Sequence, residues 1–320
     1  MDSRSSWLSL VAGGLLVAGC GGRASDARGT SSSTSGDSGS EREVLFDTLV
    51  TGSDRYCGIT RGDRRVVCIE DDKIVVDEEG PFRSMDMNAE IGPAWDYRCA
   101  VKESGELTCS GMDGLEVPSG EFADVSIGVF NGCARRRSGE LECWIPIDFG
   151  GVQPPSSGGQ YYSVSMWSLC TQHDRLNAEC FDSGGNQLLP TDGSGHFLGG
   201  LYSMVVAAPE AGCAAVLVAV EAEYEGTPLE PFADVLSKSN IACFSHEGAR
   251  SKLDGTFTQF DVDVNEDGCA LDGSNGVACW GRFANSVPAD LTGDFVQVSV
   301  ATGQACVLDV AGSVRCWQPR

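Results

Sequence analysis

From Val44 onward, apolar and polar residues alternate in short runs separated by turn-forming clusters. FVQVSV (295–300), FADVSI (122–127) and FTQFDV (257–262) each open on an aromatic residue and continue in alternation. A period of two sends successive side chains to opposite faces, so each run predicts a β-strand. A turn follows, and then a segment that is symmetric about a polar, glycine-containing centre. CAVKESGELTC, CARRRSGELEC, CALDGSNGVAC and CVLDVAGSVRC align without gaps. Apolar arms around such a centre predict a hairpin. Ser104 sits midway between Cys99 and Cys109, so the loop has three residues. Gly105, Gly139 and Gly312 then fall where the chain must turn left-handed, and Asn275 takes that place in another copy.

The cysteines fix the count. Cys99 and Cys109, Cys133 and Cys143, Cys170 and Cys180, Cys269 and Cys279, and Cys306 and Cys316 share one spacing. Cys57 and Cys68 are one residue further apart, and Cys213 and Cys243 carry an insertion of twenty. In the hairpin register the two members of a pair face each other on adjacent strands, close enough to bond. No Cys-x-x-Cys occurs and there are only three histidines, so disulfides explain the pairs better than a metal or redox site.

Seven pairs mean seven units of about forty residues, each with at least three short strands. Trp144, Phe181, Phe244, Trp280 and Trp317 follow the second cysteine directly, and Pro-bearing links lead to the next copy. One such unit cannot bury both faces of its sheet, whereas seven packed radially can. The expected fold is all-β: a seven-bladed β-propeller with one disulfide within each blade, a linear β-solenoid being the competitor. Ring closure stays open at this level, because only three residues follow Trp317 and little precedes Phe46. Either residues 43–45 complete the ring or the seam is open.

SVPADLTGDFVQVSVATGQACVLDVAGSVRCW, with CALDGSNGVACWG before it, resembles the repeat of regulator-of-chromosome-condensation-like propellers. It looks closest to the bacterial branch that includes the propeller-type β-lactamase inhibitor protein. Phe295–Thr302, Cys306–Asp309 and Gly312–Trp317 follow that family's strand, turn and Trp pattern, and the resemblance implies seven blades. The cysteine pairs are a departure from it. Chromatin binding and nucleotide exchange are not carried over, since the chain is acidic and is expected to be exported, and neither is β-lactamase inhibition, since no contact residue matches.

The first residues change the setting. An apolar stretch from Trp7 to Gly19 is too short to span a bilayer and ends in Leu16-Val17-Ala18-Gly19-Cys20. This resembles the lipobox of bacterial lipoproteins. It implies a signal peptide over 1–19, lipidation of Cys20 and a membrane anchor, with the outer membrane of the cell envelope as the expected address. Of the 23 residues in 21–43, 14 are Ser, Thr or Gly. Residues 20–43 are therefore expected to form a flexible tether, with the propeller over 44–320. The net charge of −24 opposes nucleic-acid binding.

Candidate chemistry is sparse. His173, His196 and His246 lie in three different copies near turns, and no nucleophile elbow, phosphate loop or zinc motif occurs. No cofactor or metal is expected, and the chain is expected to be a monomer. Asp261–Gly268, DVDVNEDG, superficially resembles a calcium loop, but Glu266 stands where glycine is required. Asp261 and Asp263 are instead expected on the outward face of a strand whose inward positions are Val262 and Val264. The insertion after Cys213 offers Glu223, Tyr224, Glu225 and Phe232 to a protein or glycan partner, and Trp95 and Tyr97 form a second aromatic excursion. Two functions follow: a non-catalytic binding scaffold, or an exported lyase or glycoside-cleaving enzyme that uses funnel carboxylates. Two buried acids within roughly 10 Å at the funnel would favour the enzyme.

Overall fold

Each cysteine pair marks one antiparallel sheet. The structure is a computed structural model that describes residues 44–88, 97–111, 117–128, 132–144, 161–164, 168–172, 178–182, 201–208, 211–218, 240–245, 248–255, 257–274 and 276–319. Within them lie seven sheets and one 3₁₀ turn, Gly281–Phe283. Blade 1 holds β1 (Val50–Thr51), β2 (Tyr56–Ile59), β3 (Val66–Glu70) and β4 (Lys73–Glu78). Blade 2 holds β5 (Phe82–Met87), β6 (Arg98–Lys102) and β7 (Leu107–Ser110). Blade 3 holds β8 (Phe122–Ile127), β9 (Gly132–Arg136) and β10 (Leu141–Trp144). Blade 4 holds β11 (Tyr161–Val164), β12 (Ser168–Gln172) and β13 (Ala178–Asp182). Blade 5 holds β14 (Leu201–Ala208), β15 (Ala211–Val218), β16 (Asn240–Ser245) and β17 (Gly248–Asp254). Blade 6 holds β18 (Phe257–Val262), β19 (Gly268–Asp272) and β20 (Val277–Trp280). Blade 7 holds β21 (Phe295–Ala301), β22 (Gln304–Asp309) and β23 (Val314–Trp317). In every blade the strands pair in chain order.

The cysteine register follows from the three-residue loop. Gly105, Gly139 and Gly312 take φ of 97°, 94° and 98°, and each N–H bonds the carbonyl three residues back. That turn sets the two cysteines opposite each other, as in Cys99↔Cys109 and Cys306↔Cys316. All seven pairs are disulfide-bonded within their own blade, with Cα atoms 4.0–4.1 Å apart. Asn275 lies outside the described residues. The aromatic after the second cysteine covers a residue of the middle strand, Trp144 over Gly132 and Trp280 over Gly268. A Cβ at either glycine would stand 2.5–2.6 Å from the indole, so the tryptophans require glycine there.

The first strands of the blades contact one another in one unbroken cycle. β1 lies against β5, β5 against β8, β8 against β11, β11 against β14, β14 against β18, β18 against β21, and β21 against β1. Seven sheets whose inner strands close on themselves form a seven-bladed propeller, not a solenoid. The core sits between blades. Cys57, Ile59 and Val66 of blade 1 pack with Phe82, Met85 and Met87 of blade 2. Tyr97, Cys99 and Val101 of blade 2 pack with Phe122, Val125 and Trp144 of blade 3, and the pattern recurs at blades 6 and 7. The disulfides are therefore part of the blade-to-blade packing.

The seam closes by the device used at ordinary junctions. Phe122 N–H donates to the Gly105 carbonyl at the hairpin tip of the preceding blade, and Phe82 N–H to the Arg64 carbonyl, each at 2.8 Å. Phe46 N–H donates to the Gly312 carbonyl of blade 7, also at 2.8 Å. Phe46 and Leu49 share a buried cluster with Cys306 and Leu308. Arg61 adds a clamp, bonding the Val310 and Ala311 carbonyls and Asp47. Residues 44–46 thus close the ring without adding a strand to blade 7. Phe46 is the opening aromatic of the first copy.

Candidate functional site: the inner ring

One register position organises the centre of the ring. The inner-strand residue opposite each first cysteine is Val50, Asp86, Ser126, Ser163, Val206, Asp261 or Ser299. Asp86, Ser126, Asp261 and Ser299 reach the inner strand of the next blade. Asp86 Oδ2 accepts from Ile127 N–H at 2.7 Å, and Ser126 Oγ from Val164 N–H at 3.1 Å. Asp261 Oδ2 accepts from Val300 N–H at 2.8 Å and from the Ser299 hydroxyl at 3.2 Å. Ser299 Oγ accepts in turn from Thr51 N–H at 3.0 Å. Two residues earlier, Gln259 clamps Val298 with its amide, accepting from N–H at 2.6 Å and donating to C=O at 2.8 Å. Gln297 holds Leu49 in the same way across the seam, at 2.9 and 2.7 Å. A side-chain amide here does what a neighbouring strand's backbone would do, satisfying edge groups that the radial geometry leaves unpaired.

The two carboxylates differ from the serines in cost. Burial pushes the Asp86 carboxyl up to about 6, against the pull of N–H bonds from Ile127 and Met87 and of Ser126. Burial pushes Asp261 up to about 7, with Val300, Val262 and Ser299 pulling down and the charge of Asp86 pushing up. Asp86 lies on the inner strand of blade 2 and Asp261 on that of blade 6. Both groups bind their proton more tightly in the folded state than in the unfolded chain. Their stabilising contribution is therefore complete below about pH 4 and is lost as pH rises through about 6 and then about 7. Replacing both with serine, the residue that blades 3 and 7 use there, keeps the inter-blade acceptor and removes the titration. The Asp86→Ser/Asp261→Ser protein is expected to gain roughly 2–4 kcal/mol over the parent between pH 5 and pH 8. Urea melts across that range check it, and parallel pH profiles for the two proteins would refute it.

The sequence reading of the acidic loop needs correction. Asp261 does not face outward: it reaches between blades 6 and 7. Asp263 is buried, accepts from the N–H groups of Asn265 and Asp267 at 2.7 and 3.1 Å, and pairs with Arg282. Arg282 also binds Asp267 at 2.6 Å, so an arginine occupies the centre of this acidic loop. Val264 lies in the turn, beyond the end of β18.

Tyr97 is also corrected. It is only 1 % exposed, and its hydroxyl accepts from Trp144 Nε1 at 2.7 Å. Its ring fills the core between blades 2 and 3 and offers nothing to a partner. Trp95, Glu223, Tyr224, Glu225, Phe232, His173, His196, His246 and Cys20 lie outside the described residues. The inner ring was the feature missed, although its signal was present. Aligned on the opening phenylalanine, the third and fifth strand positions are polar in FRSMDM, FADVSI, FTQFDV and FVQVSV.

No protein-family model matches the chain, and no curated protein matches it in sequence. Solved structures do match in fold. The CRINKLY WD40 ectodomain of the Arabidopsis thaliana receptor kinase ACR4 aligns with a TM-score of 0.58 at 15 % identity, covering 86 % of this chain and 96 % of that one. The ectodomain of the Physcomitrella patens receptor kinase CR4 aligns with a TM-score of 0.57 at 14 % identity, covering 85 % and 72 %. Human WBSCR16 gives 0.51 at 13 % identity, covering 81 % of each chain. At these identities the likeness is one of fold.

Proposed function

We propose that this propeller is a membrane-anchored, non-catalytic binding scaffold of the cell envelope that presents blade loops to a protein or glycan. The observation that carries this reading is the use made of the polar inner ring. Its glutamines, serines and aspartates hold neighbouring inner strands together, and each blade is stapled separately. Such a ring is a rigid support for variable loops. The longest interruption of the repeat, between Cys213 and Cys243, carries Glu223, Tyr224, Glu225 and Phe232 as proposed contacts. Seven disulfides fit an oxidising compartment, and lipidation of Cys20 would tether the disc to the outer membrane. The repeat grammar also supports kinship with regulator-of-chromosome-condensation-like propellers.

The test is affinity capture from native envelope extract. A partner held by the parent and lost when residues 219–239 are replaced by a three-residue turn supports the proposal. A partner retained without the insertion contradicts the site.

One observation favours the enzymatic alternative: Asp86 and Asp261 are half-buried inner-strand acids whose carboxyls desolvation raises. Both oxygens of each are nevertheless engaged by backbone N–H groups. Turnover of an envelope glycan that disappears in Asp86→Ser/Asp261→Ser would reverse the ranking.

A further inference from the structure

Blade 1, like blade 5, ends in a fourth strand, and this one carries exposed apolar side chains. β4 pairs on one side with β3, and no described strand pairs with its other side. An unpaired edge of this kind exposes N–H and C=O groups that template another strand. The pairing passes from Cys68↔Val76 to Ile69↔Ile74, which leaves Val75 as the extra residue of a bulge. A bulge re-aims side chains, and here Ile74 and Val75 are 52 % and 46 % exposed. They make up half of the four exposed large hydrophobic residues among the described ones. Their surroundings are strongly one-signed. Glu70, Asp71, Asp72, Asp77, Glu78 and Glu79 flank a single lysine, Lys73. Glu70, Asp77 and Glu78 pair with Arg55, Arg65 and Arg98. Asp71, Asp72 and Glu79 are exposed and make no ion pair among the described residues.

We infer that the outer edge of β4 is a docking edge for an extended basic segment of a partner protein, which joins blade 1 as a fifth strand. Its main chain pairs with the free edge, its apolar residues cover Ile74 and Val75, and its Lys or Arg side chains lie beside Asp71, Asp72 and Glu79. A second copy of this chain fits poorly, because it would set six acids against six on proteins of net charge −24. This inference rests on the scaffold reading but uses a surface separate from the insertion in blade 5.

The probe is a fluorescent peptide, Lys-Val-Lys-Val-Lys-Val-Lys, added to the full chain in neutral detergent and followed by anisotropy. Saturable binding is expected, weaker at higher salt and lost when alternate peptide nitrogens are methylated. The double substitution Ile74→Lys/Val75→Lys is expected to weaken it by roughly tenfold. Both positions are exposed, and an unchanged thermal melt confirms that the variant folds. Equal binding of the methylated peptide, equal binding by the variant, or a dimer of the parent that the variant abolishes would each overturn the inference. Replacing residues 219–239 should leave peptide binding intact. Loss of partner capture in that protein alone bears on the scaffold reading, and loss of peptide binding alone bears on the edge.

Discussion

Complete reduction of the seven disulfides is expected to unfold the propeller at room temperature. Six of them close loops with sequence separations of 10 or 11, and Cys213–Cys243 closes one of 30. In the chain-entropy account a loop of ten residues contributes somewhat under 3 kcal/mol, and the longer one about 3.5 kcal/mol. Seven such contributions reach about 15–20 kcal/mol, whereas a folded domain is stable by only about 5–15 kcal/mol. Removing them exceeds what the fold has in reserve. The thin blades point the same way, because the core is spread over separate clusters between sheets, with buried half-cystines in several of them. Far-ultraviolet circular dichroism and tryptophan emission before and after reductant read the result. Of the single-pair removals, Cys213→Ala/Cys243→Ala should lower stability most. A reduced protein that keeps its native spectrum would show that packing alone suffices.

Phe46→Ala should cost about 3–5 kcal/mol, the usual penalty for truncating a fully buried phenylalanine. Phe46 is 1 % exposed and joins Leu49 and Val67 of blade 1 to Cys306 and Leu308 of blade 7. The size of the loss would match Phe122→Ala, because Phe122 occupies the equivalent place between blades 2 and 3. The location would differ. Hydrogen exchange at the Leu49 and Thr51 amides, held by Gln297 and Ser299 from blade 7, should quicken in the Phe46 variant and not in the Phe122 variant. A cost under about 1 kcal/mol with unchanged exchange would mean that the first copy does not seal the ring.

Much of this architecture is legible in the sequence because its strongest constraints are local. A three-residue loop forces the Cys99–Cys109 register whatever the rest of the chain does, and the alternation in FVQVSV decides which side chains enter the core. Closure was not legible, because it depends on a hydrogen bond between Phe46 and Gly312 at opposite ends of the propeller sequence. The aspartates were misread for a similar reason. Asp261 looks like the outward half of an alternating strand, but in a radial stack that side faces the next blade. Tyr97 stands two residues after Trp95 in a stretch without hydrophobic periodicity, and only the indole of Trp144 in the next blade explains its burial.

Non-reducing proteolysis followed by mass spectrometry tests the central claim most directly. Each blade should yield its own linked peptides: Cys57–Cys68, Cys99–Cys109, Cys133–Cys143, Cys170–Cys180, Cys213–Cys243, Cys269–Cys279 and Cys306–Cys316. Linkages between different blades, or free thiols among these fourteen cysteines, would contradict it.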